Sequence, residues 1–321
     1  MGRIVSRMRQ MLATRPHDTI IVRASHPGHS ASRRGRNISM SQVAQTVLRG
    51  FVVAVLVLFP ALLLPEITQE AAQGVTLLAL LAAIVVCTEY SAAYPGLIEF
   101  RDAKPYNRAR LGILAAVLLC VTLLLRDMLG APDSGNVLVM IGLTLGNVMD
   151  FSFSPVRLLV LSLPHGLPAG HLAMVGAAAA LAYLLAVLGL IVFLAALIMG
   201  YWPRPNKSFN VWVNLPNFDP TKGVDVVQRL ERDAHFNVLL GIILPFSLPV
   251  LLHISTLMVQ PMTLQSPLAF VWGVSLWAFI PVNLIMRGLA MYRVAQLVRA
   301  QRRRIAEEED AVPLPARSAY S

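Results

Sequence analysis

Apolar residues in this chain come in blocks about as long as a bilayer is thick, and no other feature restricts the fold more. The blocks lie at 47–65, 75–97, 111–129, 171–201, 238–258 and 268–290. Each is close to the ~20 residues a helix needs to cross the hydrocarbon core. Hydrocarbon offers backbone N–H and C=O groups no partner, so a spanning chain must be helical or form a closed barrel. These blocks lack the two-residue alternation of barrel strands. Hydrophobic residues make up 56% of the 321 and charged ones 14%, against ~25% charged in an average soluble domain. The sequence therefore predicts an all-α, polytopic transmembrane helical bundle of about six full spans.

A seventh apolar region, 137–163, is interrupted by GNVMDFSFSPVR. Positive charge decides how that region runs. Segments 98–110 and 202–237 hold four and five Lys or Arg, while 66–74, 130–136, 164–170 and 259–267 hold none. Residues 1–50 add nine arginines against one acid, Asp18, and six more arginines fall between Arg287 and Arg304. Basic residues flanking spans mark the cytoplasmic side, so both termini and 202–237 are expected to be cytoplasmic. That parity requires 137–170 to begin and end on the outer side, as a re-entrant or short-helix hairpin. Pro155 suits the break, because proline removes a helix donor and disfavours helix at the residue before it. One long tilted span over 137–163 is the alternative, and it would put 202–237 outside.

The net charge of +10 sits in clusters abutting spans, which argues for membrane lipids as partners and against nucleic acid. Cys87 and Cys120 both fall in spans and match neither a disulfide framework nor a zinc-type spacing. Arginine outnumbers lysine by 24 to 3, a coding bias that suggests a bacterial protein of the cell inner membrane. The first 40 residues have no apolar core of a cleavable signal, so the chain is expected to keep its N-terminus.

Three regions follow: a basic cytoplasmic arm, 1–46; a transmembrane domain, 47–290, with the cytoplasmic segment 202–237; and a basic then acidic tail, 291–321. In the arm, 1–12 spaces Ile4, Val5, Met8, Met11 and Leu12 for an amphipathic helix on an anionic leaflet, and 13–40 reads as a tether. The 202–237 segment offers Trp202, Phe209, Trp212 and Phe218, then a helix with Val224, Val227, Leu230 and Ala234 on one side. It is too short for its own core, so it is expected to lie on the membrane surface or on a partner protein, with Arg229 and Arg232 on its charged face.

Charged side chains within a bilayer are costly, ~2.5–3.5 kcal/mol on insertion scales, so each needs a reason to be there. Glu89, Asp150 and Arg157 reach similar depths and could meet at the hairpin, with Asn147 and Ser152 adding polar ligands. One reading is a substrate or proton site at a broken helix. The other, which leads, is that Arg157 neutralises the carboxylates and pins the hairpin. Arg126 and Asp127 read as snorkelling interface residues, Arg287 as a topology anchor, and Asn283 as a hydrogen bond between helices. His165, His171 and His253 share the outer side and raise a metal or haem reading, but their spacing matches no ligand motif; no cofactor is expected.

The chain lacks H-E-x-x-H, G-x-S-x-G and the phosphate-binding G-x-x-x-x-G-K, which speaks against an enzyme. Two functions remain: a scaffold, assembly factor or accessory subunit of a membrane complex, and a secondary transporter or ion-coupled carrier. The first predicts other membrane or cytoplasmic proteins as partners. The second needs its carboxylates at a broken helix.

Overall fold

A computed structural model describes residues 40–65, 67–92, 96–101, 103–130, 136–202, 214–215, 225–255 and 263–311. The amphipathic helix expected in the arm, and Phe209, Trp212 and Phe218, lie outside the described residues. The described chain forms eight helices: α1 (Met40–Leu63), α2 (Gln69–Ser91), α3 (Lys104–Leu129), α4 (Val137–Val148), α5 (Pro155–Leu161), α6 (Ala169–Ile198), α7 (Val226–Ser255) and α8 (Pro267–Ala311). Six of them, all but α4 and α5, are long and apolar enough to cross a membrane.

The core is built on α3, α6 and α8. On α3, Val117, Leu118, Val121, Leu124 and Leu125 are buried along one stripe. On α8, Val271, Val274, Ala278, Val282 and Met286 recur at helical spacing and are equally buried. The facing run on α6 is Ala177–Ala182, buried without interruption. Lipid tails are as apolar as leucine, so helices in a membrane gain more from close packing of small residues than from hydrophobic transfer. An alanine run lets backbones approach and suits that requirement. By contrast α2 packs on α1, and this pair leaves most of its apolar surface uncovered at the edge of the bundle.

The region 137–163 is two short helices. α4 has 12 residues and α5 has 7, so α4 rises ~18 Å against a hydrocarbon core of ~30 Å. Neither can span. Ser154 caps α5 by accepting from the Val156 N–H at 3.2 Å, and Pro155 takes the first helical position, where its missing donor costs nothing. At the other end of the pair, Asn136 caps α4 and donates to Asp127 at the end of α3. The hairpin backs onto α6 through glycine: a Cβ on Gly146 would lie 3.1 Å from the Ala177 nitrogen.

The last two spans run further than their apolar lengths foretold. α7 starts at Val226 and α8 continues to Ala311, so the two extend together past the apolar zone. Val227, Leu230 and Ala234, the face expected to meet a membrane surface or partner, are buried. α8 covers them: Arg299 pairs with Glu231 at 2.9 Å, Arg302 with Asp225 at 2.6 Å, and a Cβ on Gly288 would fall 2.6 Å from the Ala234 carbonyl oxygen. The hydrogen bond from Arg302 holds the Asp225 carboxyl below its ordinary range. Its contribution is therefore present above the usual aspartate range and fades as pH falls through the lowered value.

Candidate functional site

The hairpin tip holds the first candidate site. After Val148 the chain turns through Asp150–Ser154, with Asp150 N–H donating to the Asn147 carbonyl at 3.3 Å and Ser154 N–H to Phe151 at 3.0 Å. Phe153 sits at φ 65°, a left-handed conformation that a bulky aromatic residue adopts at some cost. Asp150 pairs with Arg157 at 3.7 Å, and their side chains are 65% and 43% exposed. Phe151 and Phe153 beside them are exposed too, as is Asn147. Asp150 follows the end of α4, whose 12 residues rise ~18 Å from Asn136. An ion pair within a bilayer normally faces a bundle interior or a cavity. Here it faces out.

Glu89 does not join that pair. Its carboxylate accepts hydrogen bonds from three successive backbone N–H groups, Gly96 at 3.0 Å, Leu97 at 2.9 Å and Ile98 at 3.1 Å. Consecutive N–H groups of this kind form an anion-binding nest. Arg101 closes the same turn by donating to the carbonyls of Glu89 at 3.1 Å and Ala92 at 2.6 Å, which caps the end of α2. Glu89 thus shapes the link from α2 to α3, and the three-membered cluster expected with Asp150 and Arg157 reduces to a pair.

The second site lies where α3 begins, and no local motif announces it. Arg287, expected as a topology anchor, donates through both Nε and Nη2 to Glu99, the latter at 2.8 Å, and through Nη1 to Asn237 at 2.7 Å. Arg287 is 29% exposed and Glu99 15%. One fork of donors therefore ties α8, α7 and the 96–101 turn together. Next to Glu99, Phe100 is fully buried with its N–H donating to the Asn214 carbonyl at 2.6 Å. Tyr106 packs against it at a tilt and Trp202 edge-on, at 4.8 and 5.9 Å between ring centroids. Trp202, expected at the membrane surface or on a partner, is instead consumed inside the chain. Arg229 is half-buried and Arg232 is exposed, its nearest acid being Asp233 at 3.5 Å.

His171 donates through Nε2 to the Thr263 carbonyl, 2.9 Å away, and packs on Phe270, while His165 and His253 are exposed. Among the described residues no three His, Cys, Asp or Glu side chains converge as a metal site would require. Ser275, Trp277 and Asn283 each bury a polar side-chain atom, Oγ, Nε1 and Oδ1 respectively, with no hydrogen bond among the described residues. No protein-family model matches the chain, and neither a curated protein nor a solved structure shows significant similarity to it.

Proposed function

We propose that this multi-pass membrane protein is a scaffold or accessory subunit of a membrane complex, and that a partner's transmembrane helix covers the hairpin tip. The observation that carries this reading is the exposed Asp150–Arg157 pair flanked by Phe151 and Phe153. Lipid cannot solvate such a pair, and a second protein can. The basic end, with Arg101, Arg287 and the extended α7–α8 pair, then faces the cytoplasm of a bacterial cell by the positive-inside rule.

The carrier reading rests on the same broken helix. It is the weaker one, because among the described residues Glu89 and Asp150 answer to different partners. Affinity purification in mild detergent separates the two. A subunit should bring down one partner in constant ratio, and the double change Asp150→Leu with Phe153→Ala should release that partner while the chain still inserts. A chain that always elutes alone would contradict the subunit. Loss of an ion-dependent uptake in Asp150→Asn, with no partner found, would establish the carrier instead.

A further inference from the structure

A groove of about 400 Å³ runs between α3 and α6. Small residues line it on α3, Ala109, Gly112 and Ala116, and on α6 it passes Gly189, against which Ile113 packs. Its wall on α6 includes Leu188 and Val192, which are 52% and 62% exposed. The stretch of α3 along it, Pro105 to Ala116, rises ~17 Å, close to the ~15 Å depth of one leaflet. The groove stops at Tyr201 and Trp202, aromatic residues of the kind that sit at the headgroup level.

Two cations stand at that same end. Lys104 and Arg108 are both exposed, four residues apart on one helical face. Arg108 is also three residues from Pro105 and four from Gly112, both groove residues, so it shares their side of α3. Neither Lys104 nor Arg108 pairs with an acid among the described residues.

We infer that this groove binds one anionic phospholipid, an acyl chain lying between α3 and α6 and its phosphodiester meeting Lys104 and Arg108. An apolar trough one leaflet deep, ending beneath two unpaired cations, matches both halves of such a lipid. A zwitterionic lipid would fill the trough equally well but would gain less from the cations. The inference goes beyond the subunit reading and does not rest on it.

Native mass spectrometry of the purified full-length chain in neutral detergent tests it, with equimolar dioleoyl phosphatidylglycerol and dioleoyl phosphatidylcholine. The unaltered protein should retain phosphatidylglycerol preferentially. Each of Lys104→Gln and Arg108→Gln should reduce that preference by about fivefold. Gly112→Leu should lower occupancy by both lipids, and it should fold normally, because a Cβ there meets no atom within 4 Å. Soluble glycerophosphoglycerol, the headgroup without chains, should not displace the lipid. Equal retention of the two lipids, an unchanged preference in the double glutamine variant, full occupancy in Gly112→Leu or displacement by the bare headgroup would each overturn the inference.

Discussion

Arg287→Met should cost the folded chain about 3 kcal/mol, because it leaves the mostly buried Glu99 without its counter-charge. Both carboxylate oxygens of Glu99 are taken up by the Arg287 guanidinium, whose third nitrogen, Nη1, holds Asn237. Removing the arginine strands two groups at once, Asn237 on α7 and Glu99 in the turn before α3, and unties α8 from both. Glu99→Leu alone should also destabilise, since it leaves the guanidinium half-buried in an apolar setting. The double variant should be more stable than Arg287→Met, because no charge then remains unpaired. Equilibrium unfolding in mixed detergent micelles gives the cycle directly. If Arg287→Met unfolds at the same denaturant concentration as the parent protein, the pair is a surface decoration and the fork joining three elements has no energetic meaning.

An effect of similar size is expected at the crossing of α7 and α8. A Cβ on Gly288 would lie 2.6 Å from the Ala234 carbonyl oxygen and 2.7 Å from Val238, and one on Gly241 would lie 2.6 Å from the Pro281 carbonyl oxygen. Two of those neighbours are backbone, which cannot swing aside as a flexible side chain can. Gly288→Ala should therefore cost about 1–3 kcal/mol, the usual range for forcing extra volume into a packed contact. Gly288→Leu should abolish a monodisperse peak on size-exclusion chromatography. Because Gly288 adjoins Arg287, prying the helices apart also pulls the guanidinium from Asn237, so its variants and Arg287→Met should be strongly non-additive. Gly112→Ala serves as the control, since its Cβ meets open space, and it should leave the elution profile unchanged.

The parts of this fold that were legible in the sequence are those written in local chemistry. Long apolar runs announce helices, and an Asp, two Phe and a Pro inside one of them announce a break. That break lies at Asp150–Ser154, where Ser154 and Pro155 start the second helix. What stayed hidden depends on pairings across long stretches of chain. Glu99 and Arg287 are 188 residues apart, and nothing local to either names the other. A signal did exist, for an arginine inside NLIMRGLAM needs a partner, yet the basic tail that follows offered a simpler reading. The same holds for Trp202. Its composition suits a membrane interface, and only the approach of Phe100 and Tyr106 turns it into core. The face of Val227, Leu230 and Ala234 was visible as a stripe, but not that α8 would run far enough to cover it.

The proposed partner surface, the basic end as a cytoplasmic face and the depth assigned to Asp150 all depend on the chain turning back between α4 and α5. Single cysteines at Gly130 and Gly166, in a background with Cys87 and Cys120 replaced by alanine, test that turn in intact cells with a membrane-impermeant maleimide. Both positions should react from outside the cell, and a cysteine at Thr221 should react only after permeabilisation. Labelling of Gly130 and Gly166 from opposite sides would mean that the stretch crosses the membrane, and the exposed ion pair would no longer point to a covering subunit.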